Sequence, residues 1–335
     1  DKVSRRVIFT GKHDGIERHY YVNNAEQPFN AKTRKWLAEV LPEIMRETAI
    51  DAKARVARLL KHGGPDAVLN DIDKIHGGYA RSVYIRDFAT LTTLPAATTD
   101  KLISSTTAID SDYQKGQALI AIYKGQHLQG AQLTALLKAA SGIGSDYAAG
   151  QVLRMVASRM PLDDVNVQSY LGAAGHIGSD YELRTTLSVL LARPELTPAV
   201  TAKIIATAVN HIGSSYDLRT VLTEAAAHVD NSDAAVNAYC QAAVHVNSSY
   251  DQREALSVLL GKARLNDAGY VSVLETAAGI DSSYDRSTLL QEIARQLPHK
   301  PALIAKYHAV AQTISDSYQR HQAEDALPES GQRTL

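Results

Sequence analysis

Residues 177–184 read Ile-Gly-Ser-Asp-Tyr-Glu-Leu-Arg, and residues 212–219 repeat them as Ile-Gly-Ser-Ser-Tyr-Asp-Leu-Arg. The tyrosine of this stretch recurs every 34 or 35 residues, and we name the eight copies the junction tyrosines: Tyr79, Tyr113, Tyr147, Tyr181, Tyr216, Tyr250, Tyr284 and Tyr318. A fixed period between about 20 and 50 residues is typical of stacked structural repeats. The chain is therefore predicted to be a repeat array.

Each junction predicts the start of a helix. Ser179 stands three residues before Glu182, the spacing of a capping box, in which the serine oxygen accepts a backbone N–H of the first turn. Six residues after the tyrosines from Tyr113 to Tyr284 the residue is always leucine, which places an apolar stripe on one side of that helix. A second apolar helix follows in every repeat. Because one helix pair cannot bury both of its apolar faces, several pairs are expected to stack.

We predict an all-α fold, a right-handed αα-solenoid of helical hairpins of about 34 residues over residues 51–327. Residues 1–30 are predicted to form a β-hairpin, because β-type runs flank the turn residues Asp14-Gly15. This hairpin lies on the first helices or is the end of an upstream β domain. Residues 31–50 are expected to form a capping helix that Pro42 kinks or splits, anchored by the single tryptophan, Trp36. Residues 328–335 are expected to be a disordered tail.

Composition excludes several classes of function. The formal net charge is -1, so nothing drives the whole chain toward nucleic acid or an anionic membrane. A modest basic excess in the first sixty or so residues indicates a solvated surface, or else an electrostatic docking surface. No apolar run reaches the length of a membrane helix, so we predict no membrane insertion by this segment. The only cysteine, Cys240, is interpreted as a small buried apolar residue.

The candidate partner-binding residues lie in the central repeats. Arg184, Arg219 and Arg253 each stand three residues after a junction tyrosine, whereas Gly116 and Gly150 take this position in two earlier repeats. The candidate site therefore comprises Tyr181, Tyr216, Tyr250, Arg184, Arg219 and Arg253. One interpretation, which we favour, is structural: the rings pack between repeats and the arginines pair with acidic residues of adjacent repeats. The other is an aromatic and charged stripe that grips an extended partner.

No residue is assigned a catalytic, cofactor-binding or metal-binding role. His176, His211 and His245 share one register, five residues before a junction tyrosine. Neighbouring repeats are separated by about 8–10 Å, too far for these side chains to share one zinc ion. The sequence contains no HExxH, GxGxxG, P-loop or GxSxG motif. We therefore expect a protein that is not an enzyme, although a regulatory subunit or an enzyme built across the repeats remains a third hypothesis.

The helix pairs resemble HEAT-like α-solenoids. The Ser-Asp-Tyr-Glu junction at residues 179–182 is also similar to tandem repeats in extracytoplasmic parts of bacterial signalling proteins, including those associated with antibiotic-sensing metallopeptidases or anti-sigma systems. The resemblance implies a scaffold or sensor associated with the cell envelope or periplasm. We expect a non-catalytic scaffold that binds a protein or peptide; the alternative is a structural or sensor module of a larger envelope signalling protein. The chain begins at Asp1 without methionine and reads as a processed piece.

Overall fold

The computed structural model describes residues 3–327, where seventeen α-helices follow a small antiparallel sheet of three strands. The expected predominance of helix after a short N-terminal β element is confirmed. The chain divides into two compact units, residues 1–126 and residues 127–335, which are described in turn. The tail predicted at residues 328–335 lies outside the described residues.

The N-terminal sheet has one strand more than predicted. It consists of β1 (Arg5–Lys12), β2 (Gly15–Val22) and β3 (Ala25–Gln27), paired in that order. Lys12 pairs with Gly15, so the first turn is His13-Asp14, one residue before the predicted Asp14-Gly15 pair. The second turn is Asn23-Asn24, with φ values of 48° and 66°. Two successive positive φ values are typical of a type I′ hairpin turn. β2 and β3 therefore form a second hairpin, which the prediction missed.

The sheet packs on the first helix, α1 (Ala31–Thr48), as one of the two alternatives predicted. The buried ring of Tyr20 lies 5.5 Å from the ring of Trp36, and the guanidinium of Arg5 lies 5.3 Å from the centre of the same Trp36 ring. Pro42 lies inside α1, so of the two predicted effects, a kink or a split, the split does not occur. Proline leaves the carbonyl four residues earlier without its helical donor, and that residue, Ala38, is exposed to water.

The rest of the first unit contains four helices: α2 (Ala52–Asp73), α3 (Gly78–Leu91), α4 (Ala96–Ser105) and α5 (Asp112–Gly125). α2 changes direction at Gly64, whose φ of 68° and ψ of -170° are not helical; this is the predicted break at residues 62–65. α3 packs against both α2 and α5. Arg55 of α2 donates two hydrogen bonds to the buried carboxylate of Asp71, at 2.8 and 2.9 Å.

The second unit contains twelve helices within the described residues. The even-numbered ones are α6 (Ala131–Ser141), α8 (Asp164–Ala174), α10 (Pro198–His211), α12 (Asp233–Ala243), α14 (Asp267–Ala278) and α16 (Pro301–Ala311). The odd-numbered ones are α7 (Asp146–Ala157), α9 (Asp180–Leu191), α11 (Ser215–Ala225), α13 (Ser249–Lys262), α15 (Ser283–Ala294) and α17 (Ser317–Ala326).

Odd-numbered helices pack on odd-numbered helices, and even-numbered helices pack on even-numbered ones. Each odd-numbered helix contacts the next odd-numbered one, from α7 to α17, and each even-numbered helix contacts the next even-numbered one, from α6 to α16. The predicted leucine stripe lies between them, since Leu187, Leu222, Leu256 and Leu290 are all fully buried. The predicted caps are also confirmed: Ser179, for example, accepts the backbone N–H of Glu182. The core is therefore assembled from equivalent positions of successive repeats.

The C-terminal ends of α7 and α9 are held by side chains of the following repeat. A helix end leaves carbonyl groups without a partner inside the helix. The guanidinium of Arg193, just after α9, donates to the carbonyl of Ala157 at the end of α7. One repeat later the ring Nε2 of His228 lies 2.8 Å from the carbonyl oxygen of Leu191. Side chains of one repeat thus complete the helix of the repeat before it.

Candidate partner-binding surface

The junction tyrosines all occupy the second residue of a helix, and they all face solvent. Those in the second unit are at the starts of α7, α9, α11, α13, α15 and α17, and those in the first unit are at the starts of α3 and α5. Their exposed fractions lie between 55% and 66%. The favoured prediction that these rings pack between repeats is therefore wrong. The first turn of each helix directs them away from the seam, by which we mean the packed surface between successive repeats. Aliphatic side chains fill this seam.

The arginines that follow these tyrosines are engaged with the next repeat. Arg184 donates from Nε to Asp217 at 2.6 Å, and Arg253 donates from Nε to Asp285 at 3.0 Å. Arg219, which lies between them in sequence, makes the equivalent ion pair with Asp251. All these side chains are largely buried. The prediction that the arginines pair with acidic residues of adjacent repeats is confirmed.

The same arginines also lie against their own junction tyrosines. The guanidinium carbons of Arg184, Arg219 and Arg253 are each 5.0 Å from the ring centre of the tyrosine three residues earlier. This distance is within the range of a cation–π contact. Each arginine is fixed by a carboxylate of the next repeat, so it in turn restricts the orientation of an exposed ring. The predicted site residues are thus brought together in pairs, one pair in each repeat.

Gly150 shows how a repeat without this arginine makes the same connection. The guanidinium of Arg154, one helical turn further along α7, donates to Glu182 at 2.8 Å. A Cβ atom on Gly150 would lie only 2.8 Å from Nη1 of Arg154 and 3.0 Å from the Glu182 carboxylate. The glycine therefore leaves the space that the longer reach of Arg154 requires. The variation at this position preserves the contact between repeats.

In two repeats that are followed by glutamine at the acidic position, serine stands where the central repeats have arginine. Ser82, three residues after Tyr79, donates to the backbone carbonyl of Gln114 at 2.9 Å. In the second unit Ser287 donates in the same way to the carbonyl of Gln319 at 2.7 Å. Both acceptors occupy the position that holds Asp or Glu in the central repeats. The two residue types are therefore matched across the seam.

The residue before five of the junction tyrosines, from Tyr147 to Tyr284, also contacts the next repeat. The Asp180 carboxylate accepts the backbone N–H of Ser214 at 2.7 Å, and the Ser215 hydroxyl accepts that of Ser248 at 3.1 Å. Asp146, Ser249 and Ser283 accept backbone N–H groups of the following turn in the same way. Beside these five tyrosines, the preceding residue thus stabilises the contact between repeats. The ring itself is left to solvent.

A second series of tyrosines, missed from the sequence, performs the packing role that was expected of the first. Tyr170, Tyr239 and Tyr307 of the even-numbered helices are fully buried and follow a junction tyrosine by 23 residues. Their hydroxyls donate to backbone carbonyls of an odd-numbered helix, for example Tyr307 to Ala323 at 2.7 Å. Burial raises the pKa of all three phenols. They stabilise the seam and are not available to a partner.

The three histidines of one register lie on the surface. His176 and His211 line a groove of about 620 Å³ between α8 and α10, with Lys203 and Asn210, and His245 lines a smaller groove beside α12. Across residues 3–327 no group of three or more His, Cys, Asp or Glu side chains is placed to hold a metal ion. Cys240 is buried, as predicted, and burial raises the pKa of its thiol to about 12.

Comparisons with known proteins do not extend this picture. No protein-family model matches the chain, and neither a curated protein nor a solved structure matches it. In the part of the chain that the structure describes, none of the helices has both the length and the apolar character needed to cross a membrane.

Proposed function

We propose that this protein is a non-catalytic scaffold that binds a protein or peptide partner along its exposed junction tyrosines. One observation carries the proposal. In the second unit, six tyrosines at one helical position are exposed, while the residues beside them are used in contacts between repeats. A large aromatic ring that contributes little to the fold but recurs in every repeat is best explained by a role at the surface.

The chemistry of these side chains suits recognition. Tyrosine is enriched among the residues that contribute most to protein interfaces. It offers a large apolar area and a polar hydroxyl while losing only two side-chain torsions on binding. The arginines held over Tyr181, Tyr216 and Tyr250 lower that cost further, because they restrict the rings before any partner arrives.

We infer that the second unit is built as a right-handed αα-solenoid of the HEAT-like kind. The packing of odd-numbered helices on odd-numbered ones, and of even on even, supports this architecture. Solenoids of this kind commonly bind partners along their extended surfaces.

Site-specific photo-crosslinking in the native host tests the proposed function. A benzophenone amino acid would replace Tyr216 or Tyr250 in one set of proteins and Val165 or Val244 in another. All four side chains are exposed by 55% to 62%, but the two valines lie in or beside even-numbered helices. We expect adducts of one defined mass from the tyrosine positions alone. Equal labelling from both sets, or no adduct from either, would contradict the proposal.

A further inference from the structure

A cavity in the first unit lies between the β-sheet and the start of α1. Its volume is about 470 Å³, within the range of about 300–1,000 Å³ that is usual for small-molecule sites. The sheet contributes Arg5, Tyr20 and Val22 to the lining, and α1 contributes Lys32 and Trp36. In the part of the chain that the structure describes, none of the side chains that line this cavity is acidic.

The polar side chains of the cavity leave several donors unused. Tyr20 is only 8% exposed, and its hydroxyl has no hydrogen-bond partner within residues 3–327. Within the same residues, the guanidinium of Arg5 and the amine of Lys32 form no ion pair. Asn30 also lines the cavity, and its amide oxygen accepts the backbone N–H groups of Lys32 and Thr33, so its NH2 group is the part that remains. A buried donor without an acceptor is unfavourable, and a ligand that supplies acceptors would remove this cost.

The charges beside the cavity favour an anion. The first turn of a helix carries a partial positive charge and favours acidic side chains. The first turn of α1 contains no acidic residue and carries Lys32. Arg5 adds a second positive charge, with its guanidinium 5.3 Å from the centre of the Trp36 ring. An anion bound here would offset both cations and the positive end of the helix.

The remaining walls of the cavity are apolar. They comprise Val22, Pro28 and the ring of Trp36. Trp36 is held by Tyr20, whose ring lies 5.5 Å away, and Arg5 lies against the same indole. The guanidinium is therefore positioned before a ligand arrives. Guanidinium groups bind carboxylates through two parallel hydrogen bonds, and the apolar walls provide contact for a carbon body.

We propose that this cavity binds a small organic anion, a carboxylate attached to an apolar body. Arg5 would supply the bidentate contact, with Lys32 and Tyr20 as further donors, while the apolar body lies against Trp36. The proposal gives a binding role to part of the basic excess near the N-terminus. It involves none of the junction tyrosines, so its test is independent of the proposed scaffold function.

Tryptophan fluorescence of the full chain tests the inference. Trp36 is the only tryptophan, so selective excitation of indole reports on this cavity alone. The probes are phenylacetate, its neutral analogue phenylacetamide, and inorganic phosphate, each titrated at constant ionic strength because salt screens charges. We expect a saturable change with phenylacetate and binding of phenylacetamide that is about tenfold weaker, the factor expected for loss of charge-assisted hydrogen bonds. Phosphate, which has no apolar body, should also bind more weakly than phenylacetate.

Three variants separate binding from folding. Arg5→Gln and Lys32→Gln should each weaken phenylacetate binding about tenfold. Lys32→Gln should not lower the thermal stability, because it removes a cation from the positive end of α1. Arg6→Gln is the matched control and should leave the affinity unchanged, since Arg6 lies on the opposite face of the sheet, 4.5 Å from the centre of the Tyr21 ring.

Four results would overturn the inference. They are the lack of a saturable response to phenylacetate, equal binding of phenylacetate and phenylacetamide, tighter binding of phosphate than of phenylacetate, and equal weakening by Arg5→Gln and Arg6→Gln.

Discussion

Positions 150 and 154 of α7, occupied by glycine and arginine, allow a direct test of how repeats are joined. In three repeats the guanidinium that meets the next carboxylate comes from the third residue after the tyrosine, but in α7 it comes from Arg154. We predict that Gly150→Arg and Arg154→Ser each destabilise the protein. The double variant should recover most of the loss, because it recreates the arrangement of the later repeats. Serine is the natural replacement, since Ser188 and Ser257 occupy the corresponding position.

The contacts of Arg154 set the size of the effect. Its guanidinium donates to Glu182 at 2.8 Å and to the Thr185 hydroxyl at 3.0 Å, and the Glu182 side chain is only 14% exposed. A hydrogen bond to a charged group contributes about 1.5–3 kcal/mol, so Arg154→Ser should cost about 2 kcal/mol. Gly150→Arg crowds two cations against one carboxylate. The better helix propensity of arginine, about 0.8 kcal/mol, offsets part of that strain and leaves a loss of about 1 kcal/mol.

A double-mutant cycle supplies the measurement. Unfolding by urea, followed by circular dichroism, would be compared for the parent, both single variants and the double variant, which we expect within about 0.5 kcal/mol of the parent. Because long repeat arrays depart from two-state unfolding, hydrogen exchange of amides in α7 and α9 provides the local readout. If the two single losses simply added in the double variant, the proposed exchange of roles between positions 150 and 154 would be refuted.

Three further predictions concern single groups. Cys240 should resist a maleimide reagent at pH 8 in the native protein and react at once in urea, because burial raises the pKa of its thiol to about 12; rapid native labelling would contradict this. Tyr239→Phe should lower the free energy of unfolding by about 1 kcal/mol, as its hydroxyl donates within the core, whereas the exposed Tyr250→Phe should not; equal losses would contradict the assignment. Backbone N–H groups of residues 76 and 77 and the ring of His76 lower the pKa of Glu47 from 4.5 to about 2. A lowered pKa stabilises the fold above the unfolded value, so Glu47→Gln should destabilise the protein above about pH 4.5 and lose this effect as the pH falls toward 2, as measured by thermal unfolding across pH.

Much of the architecture followed from the sequence because local rules act alike in every repeat. The serine caps, the buried leucines and the break at Gly64 are each set by a few neighbouring residues. The pairing of Arg184 with an acid of the next repeat followed from register alone. The third strand was missed although Asn23-Asn24 is a favourable sequence for a type I′ turn.

The exposure of the junction tyrosines could not be read from spacing alone. The buried tyrosines recur in every second repeat and the junction tyrosines in every repeat, and periodicity does not distinguish a ring that fills the seam from one that faces water. The residues that other repeats carry at the two registers do distinguish a buried ring from an exposed one. The buried register of Tyr170 is held elsewhere by Leu136, Ile204 and Val273, whereas the junction register is tyrosine in all eight copies. Interchange with aliphatic residues indicates a requirement for volume, and its absence indicates a requirement for the ring and hydroxyl together.

The matched residues across the seam distinguish two kinds of repeat among those with arginine or serine three residues after the tyrosine. A repeat with arginine three residues after its junction tyrosine needs a following repeat that provides an acidic residue, as Arg219 pairs with Asp251. One of the serine type donates to a backbone carbonyl and is followed by glutamine at the acidic position, as Ser287 is by Gln319. In-frame duplication of a central unit joins like to like and leaves every charge paired. Recombination that placed a serine-type unit before an acidic one would strand a carboxylate in the new joint. The array can therefore lengthen by copying its middle more readily than by exchanging its ends.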